Sequence, residues 1–305
     1  MAAIAASWII SPVFGGFVAA LVLYFIQVKI FNQKDRKTSA QKWVPVLIGL
    51  MAGAFAAYMA MKGLKKIWKP STLEITIYST IAFFTCWLLS IPYISKRSTI
   101  LSNKKRDINS LFNLPLIIGV ALLSFAHGAN DVANAIGPLA AIVSTFSSAS
   151  VASKVAIPLW VLVIGAVGLA LGLLLFGPKL IHTVGEKITK LNAPRSYCVA
   201  LASAVTVLIA TTMGLPVSST HIAVGAIFGV GFLREVLENP DKRRLKPGHK
   251  LNNTSREAFD NINARLARKL VRRQFVLSIA AAWVITVPAS ASLAASLFFL
   301  LNALL

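Results

Sequence analysis

Acidic residues are scarce: ten Asp and Glu stand against 31 Lys and Arg, for a formal net charge of +21. Cysteine is scarcer, with Cys86 and Cys198 in separate apolar runs and no CxxC or other metal-ligand spacing. That excludes a disulfide framework and a thiolate metal site, and both cysteines read as small buried apolar groups. Charged residues make up 13% of the chain, whereas 56% is hydrophobic and mean hydropathy is +0.72. A soluble chain of 305 residues has no core large enough to hide so much apolar surface. The sequence is therefore that of an integral membrane protein. No basic leader precedes the first apolar run, residues 4–30, which is long enough to span a bilayer rather than serve as a cleavable signal.

The positive charge is not spread as a nucleic-acid-binding surface would need. It lies in the breaks between apolar runs, chiefly at 29–42, 62–69, 96–106, 179–195 and 242–273, without a recognition helix or interleaved aromatic residues. Such breaks are the short cytoplasmic loops of a polytopic protein. Residues 238–273 carry eleven Lys or Arg and make the best cytoplasmic anchor; the 242–273 loop is a candidate to meet anionic lipid headgroups, or is simply a solvated loop. Counting spans from it gives about eight crossings, with both ends on the far side. Residues 62–69 then fall outside, against the positive-inside tendency. Small residues at 52–57 on the second span, and Gly165, Gly168 and Gly172 on the fifth, read as helix-packing faces.

Two stretches do not belong in lipid. In the first, His127-Gly128-Ala129-Asn130-Asp131-Val132-Ala133-Asn134, Asp131 is the acid deepest in an apolar segment. An intramembrane carboxylate costs about 2.5–3.5 kcal/mol on insertion scales and normally faces a partner or a polar cavity. Asn130 and Asn134 are four apart and Asp131 and Asn134 three apart, so a helix clusters them on one side. Residues 111–146 exceed one span, and Gly128, Gly137 and Pro138 lead to the expectation of a discontinuous helix. The bland reading is a kinked helix whose Asp is neutralised by a basic residue. The second stretch, Gly214-Leu215-Pro216-Val217-Ser218-Ser219-Thr220-His221, puts three hydroxyls and an imidazole at the start of an apolar run. It would either aim the free N–H groups of a helix N-terminus at an anion or be an ordinary N-cap.

Residues 5–12 resemble residues 281–288, and in the counted topology these helices run in opposite directions. Oppositely oriented similar segments mark inverted-repeat secondary transporters, in which substrate binds near mid-membrane. Both unusual stretches precede the second copy and none precedes the first. The expected organisation is therefore residues 1–31 as the closing helix of a first repeat, 32–110 as linking spans and loops, and 111–305 as a second repeat. The broken elements of the first repeat, its N-terminal part, are expected to be missing.

At Gly128-Ala129-Asn130-Asp131-Val132-Ala133-Asn134-Ala135 and Gly214-Leu215-Pro216-Val217-Ser218-Ser219-Thr220-His221 the sequence resembles the inorganic phosphate transporter (PiT) family. The resemblance implies an all-α inverted-repeat transporter with discontinuous helices and a helical hairpin, in the cell membrane as a multi-pass protein. It implies symport of phosphate with sodium or protons, no other cofactor, and a possible homo-oligomer. Carried over by position, Asp131, Asn134, Ser218, Ser219 and Thr220 would contact phosphate. Asn130, Asp131 and Asn134 would serve the coupling cation, with sodium, if it is the ion, at Asp131. His127 and His221 would support them from behind. A Glu frequent in the family aligns with Ala200, which leaves the details of cation coupling open.

An enzyme is not expected. An aspartyl hydrolase needs a second carboxylate to share a proton with Asp131, and no other apolar run carries one. Ser219 and His221 lack an acid to orient the imidazole and a nucleophile elbow. The readings left beside phosphate symport are transport of another oxyanion, such as sulfate or arsenate, and a truncated, non-transporting half of such a transporter.

Overall fold

Helix starts follow the local chemistry. Asp35 accepts the backbone N–H groups of Lys37 and Thr38, and the Thr38 hydroxyl, to open one helix. Its carboxyl is held below the usual carboxylate range, mainly by the Thr38 hydroxyl. Ser71 and Glu74 form a reciprocal capping box at the start of the next. The structure, a computed structural model, describes residues 2–63, 70–148, 157–182, 189, 191–213, 217–237 and 273–304. Its long helices are α1 (Ala2–Ile26), α2 (Arg36–Tyr58), α3 (Thr72–Thr99), α5 (Asn113–Ser148), α6 (Leu159–His182), α7 (Ala193–Thr212), α8 (Ser219–Leu237) and α9 (Arg273–Leu304), with a short α4 (Lys105–Asn109) leading into α5. Among the described residues there is no strand, and eight helices are long and apolar enough to cross a membrane. The expected all-α membrane architecture with about eight crossings is what is found.

The expected break at Asp131 is not. Residues 113–148 form one unbroken helix of 36 residues, and no described atom lies within 4 Å of where a Cβ on Gly128 or Gly137 would sit. Pro138 removes one helical hydrogen bond, at a cost of about 3 kcal/mol. Ending the helix in lipid would expose several backbone groups at several kcal/mol each. Continuing through the proline is the cheaper course. At 1.5 Å per residue α5 is about 54 Å long, well beyond the ~30 Å hydrocarbon layer.

The core is a bundle around α7, which packs on α1, α2, α5 and α8. The Tyr197 hydroxyl donates to the Leu47 carbonyl at 2.6 Å, pinning α7 to α2 inside the core. Cys198 is buried beside it and Cys86 half-buried, as their apolar settings imply. Two seams bring backbones together through glycine. On α2, a Cβ on Gly49 would stand 2.9 Å from the Phe83 carbonyl oxygen and one on Gly53 3.1 Å from that of Ser79, so α2 and α3 run antiparallel. On α8, a Cβ on Gly225 would clash with the Pro12 carbonyl and one on Gly229 with that of Gly16. The numbers rise together, so α1 and α8 run parallel, as the counted topology requires. Two of the three glycines read as a packing face on α6 meet no described neighbour: nothing described lies within 4 Å of a Cβ on Gly168 or Gly172.

One end of the bundle is tied by polar contacts. Asn103 accepts from the Arg36 backbone N–H and donates to the Lys34 carbonyl, while the Lys37 ammonium donates to the Thr99 carbonyl. These join the 32–37 turn to the 99–104 turn, both from basic stretches assigned to the cytoplasmic side. At the periphery, α3, α6 and α9 present large apolar side chains outward, among them Leu89, Leu174 and Phe299, each about 70% exposed. Apolar surface on that scale needs a lipid surround.

Candidate functional site

Three contacts fix the heights of the two unusual stretches. Phe55 of α2 meets Phe125 of α5 edge to face at 6.5 Å between centroids. One turn further along α2, Tyr58 packs in a cluster with Val207 of α7 and Ile222 of α8. Asp131 lies six residues beyond Phe125, and Ser219 three residues before Ile222 on a helix that descends as α2 rises. At 1.5 Å per residue, both stand about 9 Å above the Phe55 level. Helices α5 and α8 also touch directly. The fold thus brings to one layer two stretches about ninety residues apart. That layer is level with Met61, and α5 continues about 25 Å beyond it.

On the α8 side the local chemistry is well defined. Ser218 precedes the first helical residue; its Oγ accepts the His221 backbone N–H at 3.4 Å and its carbonyl accepts the N–H of Ile222 at 3.1 Å. Capping uses a lone pair on Ser218 Oγ, so its proton still has a use elsewhere. The first-turn N–H groups of Ser219 and Thr220 have no carbonyl four residues back within the helix, and the dipole there is positive. Ser219 is 3% exposed whereas the adjacent Thr220 is exposed. A pair expected to act together is therefore split between the interior and the outside of this chain. His221 is half-buried one position further on.

On the α5 side, the backbone through Asn130, Asp131 and Asn134 is regular helix. The side chains of His127, Asn130, Asp131 and Asn134 lie outside the described residues. Pro138, however, has no N–H to offer the carbonyl four residues back, which is that of Asn134. A backbone oxygen without its helical donor is thus left one turn from Asp131. The sequence held this signal, since Pro138 was read as a helix breaker, but its meaning depends on the helix continuing.

Reading the sequence missed other polar groups. Ser11, beside Pro12 on α1, and Ser203 and Thr206 on α7 are buried, with no hydrogen-bond partner for their hydroxyls among the described residues. Ser203 and Thr206 continue the face of α7 that begins at Ala200, whose Cβ lies 3.4 Å from the Cβ position of Gly119 on α5. Hydroxyl residues are ordinary in Ala-rich helices, so nothing in the sequence set these apart. Ala200 itself is buried, at 2% exposure.

Comparison with known proteins gives the arrangement a setting. The chain is 40% identical to a Helicobacter pylori (strain J99) protein named as a candidate phosphate permease, over 99% of this chain and 66% of that one. A similarly named protein of Thermococcus kodakarensis is 32% identical, again over 99% of this chain and 66% of the relative. Among solved structures, one titled the sodium-dependent phosphate transporter superposes with a TM-score of 0.62 at 35% identity, covering 76% of this chain and 57% of the other. The chain thus spans just under two thirds of the length of these permeases and somewhat over half of the solved transporter. These relatives point to a transporter rather than an enzyme. The phosphate transporter family profile matches residues 1–294, and this chain, a multi-pass membrane protein, belongs to that family.

Proposed function

We propose that the protein carries inorganic phosphate across the membrane together with a cation, sodium or a proton, bound at Asp131. The observation that carries the reading is the common height of Asp131 and Ser219 on touching helices. An anion at the first turn of α8 would meet the N–H groups of Ser219 and Thr220 and the hydroxyls of Ser218, Ser219 and Thr220. An ionised Asp131 in the same layer would repel it: two like charges 4 Å apart at an effective dielectric of 20 interact by about 4 kcal/mol, roughly a thousandfold in affinity. A cation on Asp131 reverses the sign, so that anion entry depends on cation entry. The Asn134 carbonyl, freed by Pro138, and the Asn130 and Asn134 amides are natural further ligands for that cation. His127 and His221 flank the two motifs as supporting groups.

Uptake of labelled phosphate by proteoliposomes of the purified chain, under an imposed sodium gradient and then a proton gradient, tests this. The sodium dependence named for the solved neighbour makes sodium the first ion to try. Uptake is expected with one gradient and is lost in Asp131→Asn. Failure of both gradients in well-folded protein, or cation-dependent uptake by Asp131→Asn, refutes the coupling. Adding sulfate to the same assay separates phosphate from other tetrahedral oxyanions.

A further inference from the structure

Between α1 and α2 one aromatic ring is bordered by two positive charges. The Lys29 ammonium lies 5.9 Å and the Lys42 ammonium 5.8 Å from the centroid of the Trp43 ring. Phe25, one turn before Lys29, meets the same ring edge to face at 5.0 Å and holds it in place. Both lysines are exposed and Trp43 is half-buried. The neighbouring charges are already used. Arg36 donates to the carbonyls of Phe31 and Asn103, Lys37 donates to that of Thr99, and Asp35 is taken up in capping α2. Among the described residues, Lys29, Lys42 and the Trp43 indole N–H have no acceptor and no carboxylate partner. Three unspent donors, two of them charged, thus converge on one small surface that lacks an anion.

Its place along the helices selects the anion. Lys29 stands two residues before the end of the first span, Ile9–Phe31, and Trp43 begins the apolar part of the second, Arg36–Met61. Tryptophan and lysine at the ends of spans sit at the level of lipid headgroups. Two turns further into each span, Leu21 is 56% and Leu50 44% exposed, so apolar surface continues from the donors towards the middle of the bilayer. A free anion would satisfy the donors and leave that surface unused, whereas a phospholipid uses both. We propose that Lys29, Lys42 and the Trp43 indole N–H form a headgroup site for an anionic phospholipid, whose acyl chains run along α1 and α2 past Leu21 and Leu50. A zwitterionic lipid carries its own cation beside the phosphodiester, so the two lysines favour a lipid with net negative charge.

The full chain is purified and exchanged into equimolar phosphatidylglycerol and phosphatidylcholine with identical acyl chains, and the most tightly held lipid is read by native mass spectrometry. Phosphatidylglycerol is expected in excess by about fivefold or more, the contribution of even one lysine near an anionic surface. Lys29→Gln with Lys42→Gln is expected to lower that excess by a similar factor. Lys34→Gln with Lys104→Gln removes the same charge from exposed positions at the same end of the bundle and is expected to leave it unchanged. Equal retention of the two lipids by the unaltered protein overturns the proposal without reference to any variant. So does an equal loss in the two double variants, which would make the effect one of overall charge. Exchanging chloride for inorganic phosphate at equal ionic strength is expected to leave retention as it was; displacement of the lipid by phosphate would show a free anion seated there and would also overturn it.

Discussion

Replacing Gly225 or Gly229 by alanine adds one methyl group to α8 at the seam with α1. In an open helix that change stabilises by up to about 1 kcal/mol, through propensity alone. At these positions the added Cβ meets the backbone of Pro12 and of Gly16, which has no rotamer into which it can withdraw. The helices must separate, and overpacking costs about 1–3 kcal/mol, with rigid backbone at the upper end. Subtracting the propensity gain leaves a net loss of about 2 kcal/mol for each single variant. The two sites are one turn apart on the same seam, so the second methyl group enters space already opened by the first and the double variant loses less than the sum. Gly168→Ala and Gly172→Ala on α6 meet nothing described within 4 Å and are expected to be neutral or stabilising. Cys198 is buried in the core, and in a Cys86→Ala background its reaction with a thiol-specific fluorophore during heating reports unfolding. At about 2–4 °C per kcal/mol, Gly225→Ala and Gly229→Ala should each lower the midpoint by about 4–8 °C. A midpoint raised by Gly225→Ala as by Gly168→Ala would refute the close seam.

Three further outcomes follow from individual contacts. Pro138→Ala restores a donor to the Asn134 carbonyl; it should raise the thermal midpoint while weakening the cation dependence of phosphate uptake, measured as the shift in half-saturating cation concentration. Tyr197→Phe removes the bond to the Leu47 carbonyl and should cost about 1 kcal/mol, with more if that buried oxygen finds no water, by the same thiol assay. The Asp35 cap depends on an ionised carboxylate whose folded pKa is depressed. Its contribution is therefore complete above the unfolded value of 3.8 and is lost as pH falls through the lower folded value, so hydrogen exchange at the Lys37 and Thr38 amides should accelerate, relative to an uncapped control, only below that point.

Reading the residues alone was most reliable where the medium imposes the answer. Lipid leaves no partner for a backbone polar group, so long apolar runs become helices, and lysine and arginine mark the turns between them. The length and composition of the runs therefore fixed the eight crossings, the parallel sense of α1 and α8, and the membrane setting. The expected break in α5 at Asp131 rested on a run longer than one span and on Gly128, Gly137 and Pro138, whereas in hydrocarbon the alternative to a strained helix is worse. The motifs around Asp131 and Ser218–Ser219–Thr220 stood out because polar groups in apolar runs are rare, and so they were legible without any structure.

What the linear chain left undecided was which groups meet. Glycines are equivalent in sequence, yet Gly225 and Gly229 seat another helix while Gly168 and Gly172 meet nothing within 4 Å among the described residues. Thr76, Ser79 and Thr80 look polar until their protons are seen to be engaged within α3. The shared height of Asp131 and Ser219 comes from contacts among α2, α5, α7 and α8 that no local pattern encodes, because register between helices is set by side chains far apart along the chain. Composition and hydropathy determined that this is a membrane protein with two polar motifs; packing alone decided that they lie in one layer.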